Sequence, residues 1–223
     1  MLNWIKNLWA PALDGGEERV VIHYNAALKF EQLDRYQKAH LRRYQFALDY
    51  VKPEEAWGDF ACGTGYGSAM LADKTQKVIG ADRDQRVIKY IRKRYQHFSN
   101  LQLEQKQLQE LDYQNLFDGI VSFETIEHFT QEDIQVVLGN FHRALKPNGK
   151  LIFSTPYLQE MSPHELKKGF HLTFEIDENM ILTWFKNNGF HLSTFWYQNY
   201  QDYEVKQTME TKDFILGIAH KID

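Results

Sequence analysis

Gly63, Gly65 and Gly67, with Asp59 before them and Asp82 after, make a pattern suited to holding a ligand. Trp57-Gly58-Asp59-Phe60-Ala61-Cys62-Gly63-Thr64-Gly65-Tyr66-Gly67 reads as a strand that ends in an acid and breaks into a glycine-rich turn, with a helix following through Ser68-Ala69-Met70-Leu71-Ala72. Such a turn brings backbone N–H groups and a helix N-terminus up to a ligand. Glycine leaves room for that approach and tolerates positive φ. A dinucleotide fingerprint runs G-x-G-x-x-G; here the third glycine comes one residue early, and the phosphate-cradling G-x-x-x-x-G-K-[ST] is absent. Asp59 sets a carboxylate beside the loop, where it would repel a pyrophosphate and suit a ligand carrying an ammonium group. Asp82, nineteen residues after Gly63, closes the apolar run Val78-Ile79-Gly80-Ala81. An acid there can accept hydrogen bonds from both hydroxyls of a ribose. NAD sites use the same device, so Asp82 points to a nucleoside without separating the candidates. The plainer alternative is a strand–turn–helix joint in which Asp59 caps the helix.

The methionine end of S-adenosylmethionine has an ammonium group and no phosphate, and three stretches resemble the class I methyltransferases that use it. Asp59-Phe60-Ala61-Cys62-Gly63-Thr64-Gly65-Tyr66-Gly67-Ser68 is similar to their first motif. Phe117-Asp118-Gly119-Ile120-Val121-Ser122-Phe123-Glu124-Thr125-Ile126-Glu127-His128-Phe129 resembles their fourth strand and the residues just after it. Phe141-His142-Arg143-Ala144-Leu145-Lys146-Pro147-Asn148-Gly149-Lys150-Leu151-Ile152-Phe153-Ser154-Thr155-Pro156 resembles their next helix, turn and fifth strand. The resemblance spans roughly residues 40 to 221, and bacterial methyltransferases of small molecules and cell-surface sugars are the nearest kind. It implies an α/β fold: a Rossmann-like seven-stranded, mostly parallel sheet in the order 3-2-1-4-5-7-6, with the last strand antiparallel and a helical cover before the sheet. It implies a cleft for S-adenosylmethionine, or its product S-adenosylhomocysteine, lined by Asp59, Ala61, Gly63, Gly65, Tyr66, Asp82, Arg83, Gln107, Leu108, Phe123 and Glu124. Gln107 stands where the family often has an acid for the adenine amino group; its amide oxygen can accept the same bond.

Composition bounds the alternatives. A chain of 223 residues with 43% hydrophobic residues is long enough for one well-buried α/β domain. The net charge of −4 argues against a dedicated nucleic-acid binder, which would be basic. The single cysteine, Cys62, excludes an internal disulfide and fits a reducing compartment. It is a small core residue or, less simply, a nucleophile. No zinc-ligand spacing is present, so no metal site is expected. With no membrane-length apolar run and no signal-peptide core, the expected location is the cytoplasm. Oligomeric state is not legible.

Periodicity gives the helices and strands that carry these groups. Trp4, Ile5, Leu8 and Trp9 form one face of a short helix that packs on the body or a second subunit, or touches a membrane surface. Between Ala26 and Val51, Leu33, Tyr36, His40, Tyr44, Ala47 and Val51 recur at helical steps, predicting one broken helix or two. Residues 1–50 thus read as a cover and 51–223 as the cofactor-binding unit. By resemblance the cover shapes the acceptor pocket, with His40, Arg43 and Tyr44 facing it. Strands are predicted at Ala56–Ala61, where Trp57-Gly58 replaces the usual aliphatic pair, and at Val78–Asp82, Leu101–Gln105, Gly119–Phe123 and Leu151–Ser154. A helix over 177–188 and strands 190–198 and Phe214–Ala219 complete the chain. Asp84 and Thr130 are helix caps, the latter in a capping box with Asp133.

The fourth strand delivers Glu124, Glu127 and His128 to the carboxyl edge of the sheet, where open α/β sheets bind ligands. His128 is a candidate base, or it packs against the loop. Glu127 can orient it or bind an acceptor cation, although neighbours on a regular element point apart. Glu124 suits the methionine end. The irregular stretch 157–176 emerges at the same edge; within it His171 is a second candidate facing the acceptor and His164 a further one. The resulting expectation is methyl transfer to an oxygen or nitrogen of a small molecule or glycan. The alternatives are an NAD(P)-dependent oxidoreductase and a non-catalytic cofactor-binding module acting through a partner.

Overall fold

The computed structural model describes residues 19–162 and 169–222. The expected helix face at Trp4–Trp9 and the candidate His164 lie outside the described residues.

Strands form where apolar and β-branched runs fall between turn residues: β1 Ala56–Phe60, β2 Lys77–Asp82, β3 Leu101–Gln105, β4 Phe117–Phe123, β5 Leu145–Pro156, β6 Phe190–Gln198 and β7 Phe214–Lys221. They make one sheet in the order β3-β2-β1-β4-β5-β7-β6. Neighbours are parallel as far as β5, while β7 runs antiparallel to both β5 and β6. The predicted order and the reversed last strand are both present. Strand β5 starts earlier than predicted. Leu145 pairs with Phe117, the register then shifts around Asn148 (φ +62°), and pairing resumes at Gly119 with Lys150.

Helices among the described residues are α1 Arg35–Leu48, α2 Tyr66–Ala72, α3 Gln85–Arg94, α4 Gln131–Ala144 and α5 Glu178–Asn187. The predicted break before α1 is a 3-10 turn at Phe30–Gln32, after which Asp34 and Gln37 close a full capping box. Thr130 caps α4 by accepting from the Asp133 N–H.

The two faces of the sheet follow from the alternation of strand side chains. Trp57, Val78, Val121, Ile152 and Ile218 pack with Leu41, Tyr44 and Ala47 of α1 and with α2. Ile79, Ile120, Leu151 and Phe153 pack on the other face with α4 and α5. The cover helix therefore shares a core with the sheet. The Trp57-Gly58 oddity has a packing cause. Trp57 is paired with Gly119, and a Cβ at Gly119 would lie 2.4 Å from the indole ring. A Cβ at Gly58 would meet the Phe60 ring at 2.9 Å.

The closest approach of all is between α1 and α2. A Cβ on Gly67 would sit 2.0 Å from the ring carbons of Tyr44, which is buried and held by Asp59. Overpacking of this kind costs about 1–3 kcal/mol, so Gly67→Ala should lower the melting midpoint by roughly 3–10 °C. An unchanged midpoint would mean that α1 does not seat against α2.

Candidate functional site

The carboxyl ends of β1, β2 and β4 open onto a cleft closed from above by α1 and the segment at Arg19–Val20. Its wall includes Ala61, Gly63, Tyr66, Asp82, Arg83, Gln107, Leu108, Phe123 and Glu124, together with Tyr44 and His40 of α1. Nine of the eleven expected cofactor residues thus line one cavity. The loop is tightly wound: Ala61 (φ +61°), Gly63 (φ +51°) and Gly65 (φ +73°) are left-handed, and Gly65 is the N-cap of α2. Across the cleft Glu124 is left-handed as well, at φ +50°. Non-glycine residues held in this region cost on the order of 1–3 kcal/mol and cluster at functional sites.

Asp82 ends β2 with its carboxylate fixed by three donors. Oδ2 accepts from the Gly63 N–H at 3.1 Å, and Oδ1 from the Asp84 N–H at 2.8 Å and from Arg19 Nη2 at 3.2 Å. Arg19 also pairs with Asp84 at 3.3 Å, and the Val20 carbonyl accepts from the Thr64 hydroxyl at 2.9 Å. Sequence reading missed Arg19 and Val20, which belong to no motif and carry no periodic signal.

Asp59 and Gly65 do not line the cleft. Asp59 is fully buried behind it, accepting from the Tyr44 hydroxyl at 2.9 Å and the Ser68 hydroxyl at 2.5 Å. Burial pushes its carboxyl up to about 6 against those two bonds. It therefore reaches the cleft through Tyr44, whose ring packs edge-on to Tyr66 and Phe123. Cys62 is buried under the loop, and burial raises its thiol well above the usual range, so it is core material rather than a nucleophile.

Arg43 also stays out of this cleft and of a second cavity beside it. It is fully buried, donating from Nε to Gln198 Oε1 at 2.7 Å and lying 3.9 Å over the Phe214 ring. Its Nη1 is 3.1 Å from Glu124 Oε1, off the line of a hydrogen bond. Glu124 accepts from the Ser154 hydroxyl at 2.7 Å. His40 contacts the Tyr66 hydroxyl at 2.9 Å; burial, and the nearby Arg43 guanidinium, push its imidazole well below its ordinary value, so it is neutral at pH 7.

A second cavity adjoins the first and shares Val20, His40, Glu124 and His128 with it. Glu127 and His171 line this one, together with Tyr157, Tyr200 and Lys212. Glu127 and His128 were expected to diverge. They stand instead on a 3-10 turn, Ile126–His128, with Glu127 Oε1 4.0 Å from His128 Nε2. The His128 and His171 rings are 5.0 Å apart. Glu127 is buried, accepts from the Thr155 hydroxyl at 3.0 Å, and is pushed well above the usual carboxyl range by burial and by Glu124.

Residues 59–149 match the family described as methyltransferase domain. A probable S-adenosylmethionine-dependent methyltransferase of Mycolicibacterium smegmatis is 35% identical over 103 residues, which is 46% of this chain and 38% of that protein. Over that stretch the chain matches a methyltransferase domain, and its relatives are described as probable S-adenosylmethionine-dependent methyltransferases. It spans less than half the length of the curated relatives it matches. At the level of fold, the domain is similar to the N-methyltransferase NodS of Bradyrhizobium japonicum in complex with S-adenosylhomocysteine (TM-score 0.68, 15% identity, 95% of this chain and 98% of that one). It is also similar to a 1,6-didemethyltoxoflavin N1-methyltransferase of Burkholderia thailandensis (TM-score 0.67, 16% identity, 83% and 79%).

The relatives' names carry S-adenosylmethionine, and the residues in the cleft fit it. A Cβ on Gly63 would meet nothing within 4 Å, so the loop borders open space. Asp82 and Glu124 supply carboxylates from β2 and β4 on either side of β1, and Leu108 gives an apolar wall. Of the three cations in the cleft lining, Arg19 is committed to Asp82 and Asp84 and Lys106 to Asp112, with Arg83 the third. That balance suits a nucleoside with an ammonium group better than a pyrophosphate. Among the described residues, no helix is long and apolar enough to cross a membrane.

Proposed function

We propose that this chain transfers a methyl group to an oxygen or nitrogen of a small molecule or glycan, with S-adenosylmethionine in the first cavity and the acceptor in the second. The observation that carries the reading is the adjacency of the two cavities. They meet at His40, Glu124 and His128, where a cofactor and an acceptor would touch. When bound, S-adenosylmethionine supplies an electrophilic methyl group on a positively charged sulfur.

The chain's own task is then binding, alignment and dehydration. Asp82, fixed by the Gly63 N–H, accepts the ribose hydroxyls. Gln107 accepts from the adenine amino group, and Leu108 covers the ring. Glu124, with the Tyr44–Asp59 pair behind it, holds the ammonium end. Alignment of two reactants contributes roughly 7–11 kcal/mol in favourable cases. A hydroxyl acceptor must also lose a proton, and the groups set around that space are His128, His171 and Glu127. The Phe170 carbonyl lies 2.9 Å from His128 Nδ1 and can only accept, so Nδ1 carries hydrogen and, in the neutral ring, Nε2 carries the lone pair.

A thermal melt tests the cofactor assignment. A ligand at 100 times its dissociation constant stabilises by about 2.7 kcal/mol, which for this size moves the midpoint by roughly 5–10 °C. The expected result is a shift with S-adenosylhomocysteine and none with NADH. A shift with NADH alone would reinstate the oxidoreductase. Binding of S-adenosylhomocysteine without turnover of any hydroxyl or amine acceptor in a screen would favour the non-catalytic module.

A further inference from the structure

The sequence holds no zinc-ligand spacing, yet the fold assembles a ligand set from residues 43 positions apart. Glu127, His128 and His171 each offer one donor atom to a common point, and these atoms all lie within 4.8 Å of one another. All three line the second cavity. We propose that this triad is a binding site for a divalent first-row transition ion that holds the acceptor.

Three features of the chain support the site. First, the ligand set is two imidazoles and one carboxylate, a combination that binds zinc with a position left open for water or substrate. Second, the ligands are oriented from behind. His128 Nδ1–H donates to the Phe170 carbonyl at 2.9 Å, directing Nε2 toward Glu127, and the Thr155 hydroxyl donates to Glu127 Oε2 at 3.0 Å, leaving Oε1 toward His128. Outer partners of this kind fix tautomer and ring orientation at metal sites. Third, the backbone ties the two halves together: the Leu172 and Thr173 N–H groups donate to the Glu127 carbonyl at 2.8 and 3.1 Å, so His171 is held beside the turn that carries the other two ligands. Bonds of 2.0–2.2 Å to an ion require the donor atoms to close in by about 1 Å, within the reach of side-chain rotation.

The role given to the ion rests on the two-cavity reading above; its binding does not. A bound ion lowers the pKa of a coordinated hydroxyl, whose proton passes to solvent water, and Nε2 of His128 binds the ion instead of taking that proton itself. The site favours oxygen over nitrogen acceptors, because a coordinated amine has its only lone pair engaged while a coordinated alkoxide keeps others.

The test uses the full chain stripped with a chelator. Calorimetric titration with Zn²⁺ should give one ion per chain, and Co²⁺ should develop visible d–d bands. His128→Ala and His171→Ala should each weaken Zn²⁺ by more than the roughly 10–100-fold that loss of an outer partner costs, and Thr155→Val by an amount within that range. His97→Ala, remote from the cavity, should bind as the parent does, and melting curves report whether each variant is folded. Absence of Zn²⁺ binding by the parent, or equal affinity in folded His128→Ala and His171→Ala, would overturn the site. The S-adenosylhomocysteine melt is read separately, so failure of the cofactor assignment and failure of the metal site are distinguishable.

Discussion

Arg43→Ala is expected to destabilise the fold by about 3–5 kcal/mol, because it breaks a buried ion pair by removing one partner. For a chain of this size that is a fall of roughly 6–20 °C in the melting midpoint. The guanidinium is fully buried between α1 and the sheet, where it meets Glu124 of the β4 end, Gln198 of β6 and the Phe214 ring of β7. Its removal strands a largely buried carboxylate and leaves Gln198 Oε1 without that donor. The double variant Arg43→Met/Glu124→Gln removes both charges and should recover much of the loss, since apolar replacement of a buried pair is often close to neutral. Differential scanning calorimetry of the three proteins decides the matter. A single variant that melts like the parent would show that Arg43 does not fasten the cover.

The second large effect concerns the cofactor. Asp82→Ala should weaken S-adenosylhomocysteine by roughly 10–100-fold, the loss of charge-assisted hydrogen bonds worth about 1.5–3 kcal/mol in total. Arg19→Ala should move affinity in the opposite direction. In the free protein its guanidinium lies on Oδ1 of Asp82, in competition with the ribose hydroxyls. Titration calorimetry is preferable to a melt here, because Asp82 also anchors the Gly63 and Asp84 N–H groups and its loss can alter stability by itself. Unchanged affinity in Asp82→Ala would sink its assignment to ribose.

Much of the fold could be read from the chain. Strand order and the reversed last strand came from the family that three motif stretches resemble, and some strand ends are marked by glycine, proline or an acid, such as Asp82 at the end of β2 and Gly189 before β6. Part of the cofactor wall was legible because it follows strand ends, as Ala61, Asp82 and Glu124 do, whereas the wall from α1 and Arg19–Val20 was not. Burial was not legible. Asp59 looks like a ligand contact in sequence, but a serine nine positions on and a tyrosine fifteen positions earlier take both its oxygens. Arg43 and Tyr44 are adjacent on α1, and nothing in the spacing says that one fastens the sheet while the other lines the cofactor cavity. The Glu127–His128 pair was misjudged through the assumption of a regular element, which a 3-10 turn does not satisfy. Its completion by His171 depends on hydrogen bonds from Leu172 and Thr173 across 45 positions, a distance at which sequence carries no local signal.

The two cavities have one wall in common, built from α1, the end of β4 and the turn after it. On the reading proposed here, cofactor and acceptor are therefore thermodynamically linked. Any factor by which one alters the affinity of the other must be returned in equal measure in the reverse direction. The product pair obeys the same reciprocity: whatever the methylated acceptor does to the affinity of S-adenosylhomocysteine across His40, Glu124 and His128, S-adenosylhomocysteine does to the affinity of the methylated acceptor.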